Sequence, residues 1–235
     1  GIGAFVVLDG PGVDHITVKA IASRRLELAI SGPGGHSWSD SGIPNPVHAL
    51  ARTICRFEEL CRQEKVPDGR RVFNFGWIEG GNSINAIPNL ARAKLDLRAE
   101  NEAALEPMAV AVRQVLEEVL KQVNRSAPAR LVGTVRDLGS RPAGELPENA
   151  PLLQHLRSVD AHLGIRARLE AASTDANVPL ALGKQALCIG AGGRGGRAHT
   201  VEEWFDPAGR ELALSRILLL VASMLDYFQA TYEDP

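Results

Sequence analysis

The 235-residue sequence lacks an excess of charge of either sign. Its 26 lysine and arginine residues face 28 aspartate and glutamate residues, for a net charge of -2. A broad basic field for nucleic acid or an anionic membrane is therefore missing, and a small-molecule or peptide ligand fits better. Cysteine is scarce: Cys55, Cys61 and Cys188 make neither a CxxC pair nor an even disulfide framework, which points to a reducing compartment, with the cytoplasm as the default. The apolar stretch near the end, residues 217–224, is far too short to span a bilayer, and no signal-peptide pattern opens the chain. HExxH, G-x-S-x-G and Walker lysine motifs are all missing, which argues against HExxH metalloprotease, serine-hydrolase and NTPase readings. There is no internal repeat and no low-complexity tract.

What is present divides into two patterns. An opening apolar run over residues 4–8 is β-rich and stops at Asp9-Gly10-Pro11-Gly12, so Asp9 stands at a strand's carboxyl end. A strand over residues 24–31 alternates Leu26, Leu28 and Ile30 with polar or small residues. It runs into Gly32-Pro33-Gly34-Gly35-His36, where glycine and proline impose a tight turn. Val47, Leu50, Ala51, Ile54, Phe57 and Leu60 recur every three or four places, which predicts an amphipathic helix over residues 46–61 with Pro46 in its first turn. Strands over 71–79 and 91–98, a helix over 102–123 and a strand over 129–137 complete the order of a ferredoxin-like α+β sandwich, placed at residues 19–140. Glycine and proline over 139–147 suit a hinge. Beyond it, a helix over 151–163, strands over 166–170 and 186–189 and a helix over 207–228 read as α/β. The chain is thus expected to hold an α/β domain in two pieces, 1–18 and 141–235, with the α+β unit inserted between them.

Asp9 and His199 are candidates for chemistry because each follows a predicted strand, the usual seat of catalytic groups in α/β folds. By pattern alone an aspartate before glycine is more often a turn residue, and a single histidine more often a hydrogen-bonded one. The same alternative holds for His36 in its glycine-rich loop. Alternation places Asp96 and Arg98 on one strand face, where an exposed pair is the plainer account. A guanidinium also suits a substrate carboxylate. Trp38 and Trp77 read as aromatic pocket walls or as packing. Gly190-Ala191-Gly192-Gly193-Arg194-Gly195 satisfies G-x-G-x-x-G, yet the following Ala198-His199-Thr200 does not open the long helix that a dinucleotide needs.

Taken together, Leu8-Asp9-Gly10, Gly32 to Ser37, Gly80 to Pro88, Leu95 to Arg98, Ser173-Thr174-Asp175-Ala176 and Ala198 to Glu203 resemble, in order and over nearly the whole chain, the family of co-catalytic zinc peptidases and deacylases. That family includes tripeptidase T, carboxypeptidase G, aminoacylase and succinyl-diaminopimelate desuccinylase. The resemblance implies a partial catalytic α/β domain with an inserted dimerisation lid, and two Zn2+ ions, with Co2+ or Mn2+ as alternatives. Asp9 would bind one metal and His199 the other. His36 would reach the partner's site in a homodimer to stabilise the oxyanion, Asn85 would help line that site, and Arg98 would bind a substrate carboxylate. Thr174 and Asp175 would form part of the pocket wall. The implied substrates are small peptides or N-acyl amino acids, with neither nucleic acid nor membrane as a partner.

The family's His-x-Asp motif, bridging aspartate and Glu-Glu pair have no counterpart here. Asp14 and His15 are adjacent, and Glu58-Glu59 falls inside the amphipathic helix. The chain is therefore expected to be the rear portion of a longer protein, inactive alone, with Val6, Leu8, Leu187 and Ile189 exposed where other strands would join. The alternative is a non-catalytic dimerisation or binding module that has lost the metal site.

Overall fold

The computed structural model describes residues 2–63 and 69–232. The chain divides into two compact units, Gly1–Ile21 with Pro142–Pro235, and Ala22–Arg141. The first unit opens with β1 (Phe5–Leu8) and β2 (His15–Ala20). The second comprises β3 (Ala22–Ser31), β4 (Gly35–His36), α1 (Pro46–Gln63), β5 (Arg71–Gly80), β6 (Ala86–Ile87), β7 (Leu90–Ala99), α2 (Glu102–Asn124) and β8 (Val132–Arg141). The first unit then resumes with β9 (Gly144–Glu145), α3 (Pro151–Leu163), β10 (Arg168–Ala172), α4 (Asn177–Ala181), β11 (Ala186–Ile189), β12 (Arg194–Gly196), β13 (Trp204–Asp206) and α5 (Arg210–Tyr232).

In the second unit an antiparallel sheet of order β5-β7-β3-β8 is covered by α1 and α2. The period-2 pattern explains which face is covered: Leu26, Leu28 and Ile30 of β3 and Ala93, Leu95 and Leu97 of β7 are all buried. Against them pack Leu50 and Phe57 of α1 and Leu105, Met108, Val112, Leu116 and Val119 of α2, spaced at helical period. Asn101 starts α2, its side chain accepting from the Ala104 N–H at 2.8 Å. This is the ferredoxin-like α+β arrangement that the element order implies. The last strand begins at Val132, later than expected, and continues to Arg141. It bulges at Leu138, where the register steps from Arg25↔Gly139 to Leu26↔Asp137.

The first unit is built on a mixed five-stranded sheet of order β1-β11-β2-β10, with β9 also on β2. Strands β1 and β11 are parallel, as are β2 and β10, and the two pairs meet antiparallel. Strand β2 was not anticipated. Its sequence does alternate, with Ile16, Val18 and Ala20 buried and His15 and Lys19 half-buried, although Thr17 is buried as well. Helices α3 and α5 pack together, and Asp160 accepts 2.6 Å bonds from Nε and Nη2 of Arg216 across that contact.

The expected exposure of Leu187 and Ile189 is not found: both are buried, because β11 lies between β1 and β2. Leu8 on β1 is exposed as expected, and further exposed apolar surface runs along α5, where Leu218 is 70% and Leu225 57% exposed. A 560 Å³ groove between these elements is lined by Gly3, Ala4, Val6, Leu220, Met224 and Phe228, among others. Among the described residues no helix is long and apolar enough to cross a membrane.

Candidate functional site

In the first unit the chain leaving β1 is joined by its backbone to the loop that follows β11. Asp9 N–H donates to Ile189 O at 3.1 Å, Ala191 N–H to Gly10 O at 2.9 Å, and Gly12 and Gly192 exchange bonds of 3.2 and 3.1 Å. This close approach explains the glycines there. A Cβ on Gly190 would collide with the carbonyl oxygens of Pro11 and Gly12, and Gly192 has a left-handed φ of 82°. The G-x-G-x-x-G run is thus a packing device: it leads into the β12–β13 hairpin, not into a nucleotide-binding helix.

Asp9 is exposed at the rim of this junction, and His199 is exposed on the connection between β12 and β13. Among the described residues, His199 (φ 66°) and Arg197 (φ 57°) alone combine a side chain with left-handed backbone. The loop holds that conformation through the Arg197–Glu202 ion pair and the His199 N–H, which donates to Glu203 Oε2 at 3.4 Å. Such backbone recurs where a side chain must be aimed.

Cys188 lies among these groups. Burial pushes its thiol up to about 11, the negative charge of Asp9 adds to the effect, and a hydrogen bond with Thr174 opposes it. The folded state therefore holds this proton more tightly than the unfolded chain does. Its contribution to stability is complete below about pH 8.5, where a free thiol titrates, and is lost as pH rises toward about 11. At pH 8, a thiol reagent should modify exposed Cys55 readily and leave Cys188 untouched until denaturant is added. Rapid modification of Cys188 in the folded chain would contradict this burial.

Thr174 is buried and its hydroxyl accepts from the Ala176 N–H at 3.2 Å, so it holds the turn, while Asp175 is exposed beside it. Among the described residues no three His, Cys, Asp or Glu side chains come together as a metal-binding group. A zinc centre takes three or four protein ligands. Asp9 and His199 do not by themselves fit such a centre.

In the second unit, β4 pairs with β6 and brings two loops together, with Ser37 N–H donating to Asn85 O at 2.9 Å. His36 and Asn85 are both exposed on this pair of loops. The His36 N–H donates to Asp40 Oδ2 at 2.7 Å, while its ring Nδ1 accepts from the N–H groups of Trp38 (3.2 Å) and Ser39 (3.4 Å). An Nδ1 that accepts cannot carry the proton of a neutral imidazole, so the proton resides on Nε2. Ser83 donates to Asn85 Oδ1 at 2.6 Å, which leaves the amide NH2 for other acceptors. Two donors are thus fixed on neighbouring loops. Trp38 is 86% exposed on the same turn. Trp77 carries Lys94 Nζ over its ring at 4.8 Å, on the β5–β7 part of the sheet.

Arg98 is exposed and its Nε donates to Asp96 Oδ2 at 2.7 Å, the ion pair that alternation suggests. A substrate carboxylate would have to take the place of Asp96. Three features were missed: the carboxylate of Asp40 behind His36, Cys188 beside Asp9, and Asn177, which binds three separate segments. Only Asp40, four residues after a histidine in a glycine turn, is close enough to have been suspected.

The candidate residues thus stand on a mixed α/β sheet unit interrupted by a ferredoxin-like insertion. Residues 16–124 match the family model of the peptidase dimerisation domain. An N-acetyldiaminopimelate deacetylase of Leuconostoc mesenteroides is 25% identical over 121 residues, covering 49% of this chain and 32% of that protein. The solved aminopeptidase PepT of Bacillus cereus superposes with a TM-score of 0.69 at 19% identity, over 93% of this chain and 55% of that one. A tripeptidase of Staphylococcus aureus gives 0.74 at 16% identity, over 93% and 57%. The chain spans about half the length of these solved structures.

Proposed function

We propose that this chain is the lid-bearing portion of a homodimeric hydrolase that cleaves an amide bond of small peptides or N-acyl amino acids. The fixed tautomer of His36 carries this reading. With Nδ1 accepting, the Nε2–H of His36 and the Asn85 amide, on loops joined by the β4–β6 pairing, would serve as donors for the oxyanion that develops when an amide carbonyl is attacked. The loops on which they sit belong to the dimerisation domain, so the carbonyl they serve is the partner's. Arg98 would exchange Asp96 for a substrate carboxylate, and Asp175 would face the pocket from a turn that Thr174 holds.

Asp9 and His199 are proposed as one ligand each to a metal pair, zinc with cobalt or manganese as substitutes, that residues outside this chain complete. Supporting this are the exposed apolar surface on β1 and α5 and the greater length of the solved relatives. The shortfall of ligands among the described residues also favours a second reading, a non-catalytic dimerisation module.

The test is complementation in the full-length protein. His36→Gln should lower kcat for N-acetyl amino acids or tripeptides by about 10²–10³ with little change in KM. A dimer mixed from His36→Gln and Asp9→Ala protomers should regain activity, because one composite site then keeps both groups. No regain would end the partner assignment of His36. Failure of the unmutated protein to cleave any such amide with metal supplied would favour the module.

A further inference from the structure

Ile21 and Pro142 are the residues at which the chain leaves and re-enters the first unit. One side chain holds both. Asn177, 1% exposed, donates from Nδ2 to Ile21 O at 2.9 Å and to Pro142 O at 2.8 Å. Its Oδ1 accepts from the Thr174 N–H at 2.8 Å, and its own N–H donates to Thr174 O at 3.2 Å. Both amide protons are therefore used, and the side chain ties three segments together. No other residue type of that size offers two donors and an acceptor in one plane: aspartate keeps the acceptor only, and serine has a single donor.

We infer that Asn177 is a positioning residue that fastens both chain crossings to the Thr174–Asp175 turn, so that the crossings are held only while its two amide donors are in place. The plainer account is a buried asparagine that merely satisfies its own hydrogen bonds. The two accounts differ in where a defect spreads. A core residue lost from α4 would weaken the first unit generally, whereas a clamp would release two places remote in sequence and leave the rest protected. The bearing of the clamp on substrate rests on the function proposed above, but its existence does not.

Amide hydrogen exchange on the chain itself, with no substrate, separates the accounts. In Asn177→Asp the Thr174 N–H keeps its acceptor, while a carboxyl oxygen faces the two carbonyls. Exchange at residues 20–23 and 141–144 should then quicken about tenfold or more, with Thr174 much less affected. Asn177→Ala should release all three segments. Asn177→Ser, the milder change, serves if Asn177→Asp does not fold, and should show the same pattern at smaller amplitude. Unchanged exchange at the crossings, or a uniform rise throughout the first unit in step with its global stability, would overturn the inference. Amide cleavage is not part of the readout, so failure of the proposed function would leave this result standing, and the reverse also holds.

Discussion

Asp160→Asn should destabilise the first unit by about 3–5 kcal/mol, because it leaves the Arg216 charge buried without its counter-ion. Arg216 is fully buried, and its Nε and Nη2 both bond to Asp160 at 2.6 Å. Its Nη1 already lacks a hydrogen-bond partner among the described residues. Desolvation is therefore only partly offset in the native chain, and an apolar pair of similar volume should do better than a broken ion pair. The double variant Asp160→Leu with Arg216→Met is expected to recover most of the lost stability, or to exceed the native value. Denaturant unfolding of the two single variants and the double variant measures this directly. Equal destabilisation in Asp160→Asn and the double variant would show that shape, not charge, governs the α3–α5 contact.

Phe57→Ala should cost about 3–5 kcal/mol in the second unit. The Phe57 ring is fully buried where α1 meets the sheet, edge-on to Phe73 at 5.1 Å and to Phe75 at 6.1 Å between centroids. Removing it opens a cavity and deletes two T-shaped contacts at once. Phe57→Leu, which keeps most of the volume but no ring, should cost clearly less. The two units have separate cores, so calorimetry should assign Phe57→Ala and Asp160→Asn to different unfolding transitions. A loss below about 1 kcal/mol in Phe57→Ala would mean that the sheet collapses onto the helix and refills the space.

Helices α1, α2 and α3 were legible in the sequence because their apolar residues repeat at helical period and proline or asparagine marks their starts. Strands β3 and β7 were legible through alternation. Strand β2 was missed although Ile16, Val18 and Ala20 alternate with His15, Thr17 and Lys19; the run is six residues long, too short for period alone to set it apart from the loop before it. The β12–β13 hairpin was hidden because Arg-Gly-Gly has no strand preference; within it, Gly195 fits where a Cβ would crowd Pro11 and the Trp204 carbonyl. At the candidate site, glycine-rich turns marked Asp9 and His36, and a strand end marked His199. The bonds that give these residues direction were not visible. The tautomer of His36 depends on two loop amides, and the partners of Asn177 and Arg216 are distant in the chain, so no local pattern encodes them.

The shared grip of Asn177 on Ile21 and Pro142 also bears on how the inserted unit is attached to its host. Two carbonyls bound by one amide nitrogen lie close enough for a short peptide to join them. At the other side of the cut, Ser23 and Arg141 face each other on neighbouring strands, so the inserted segment begins and ends at one place. An insertion with adjacent ends asks little of its host in loop closure. The α+β unit is in that sense a cassette: recombination could exchange it for another of different surface while the unit carrying Asp9 and His199 kept its own connectivity.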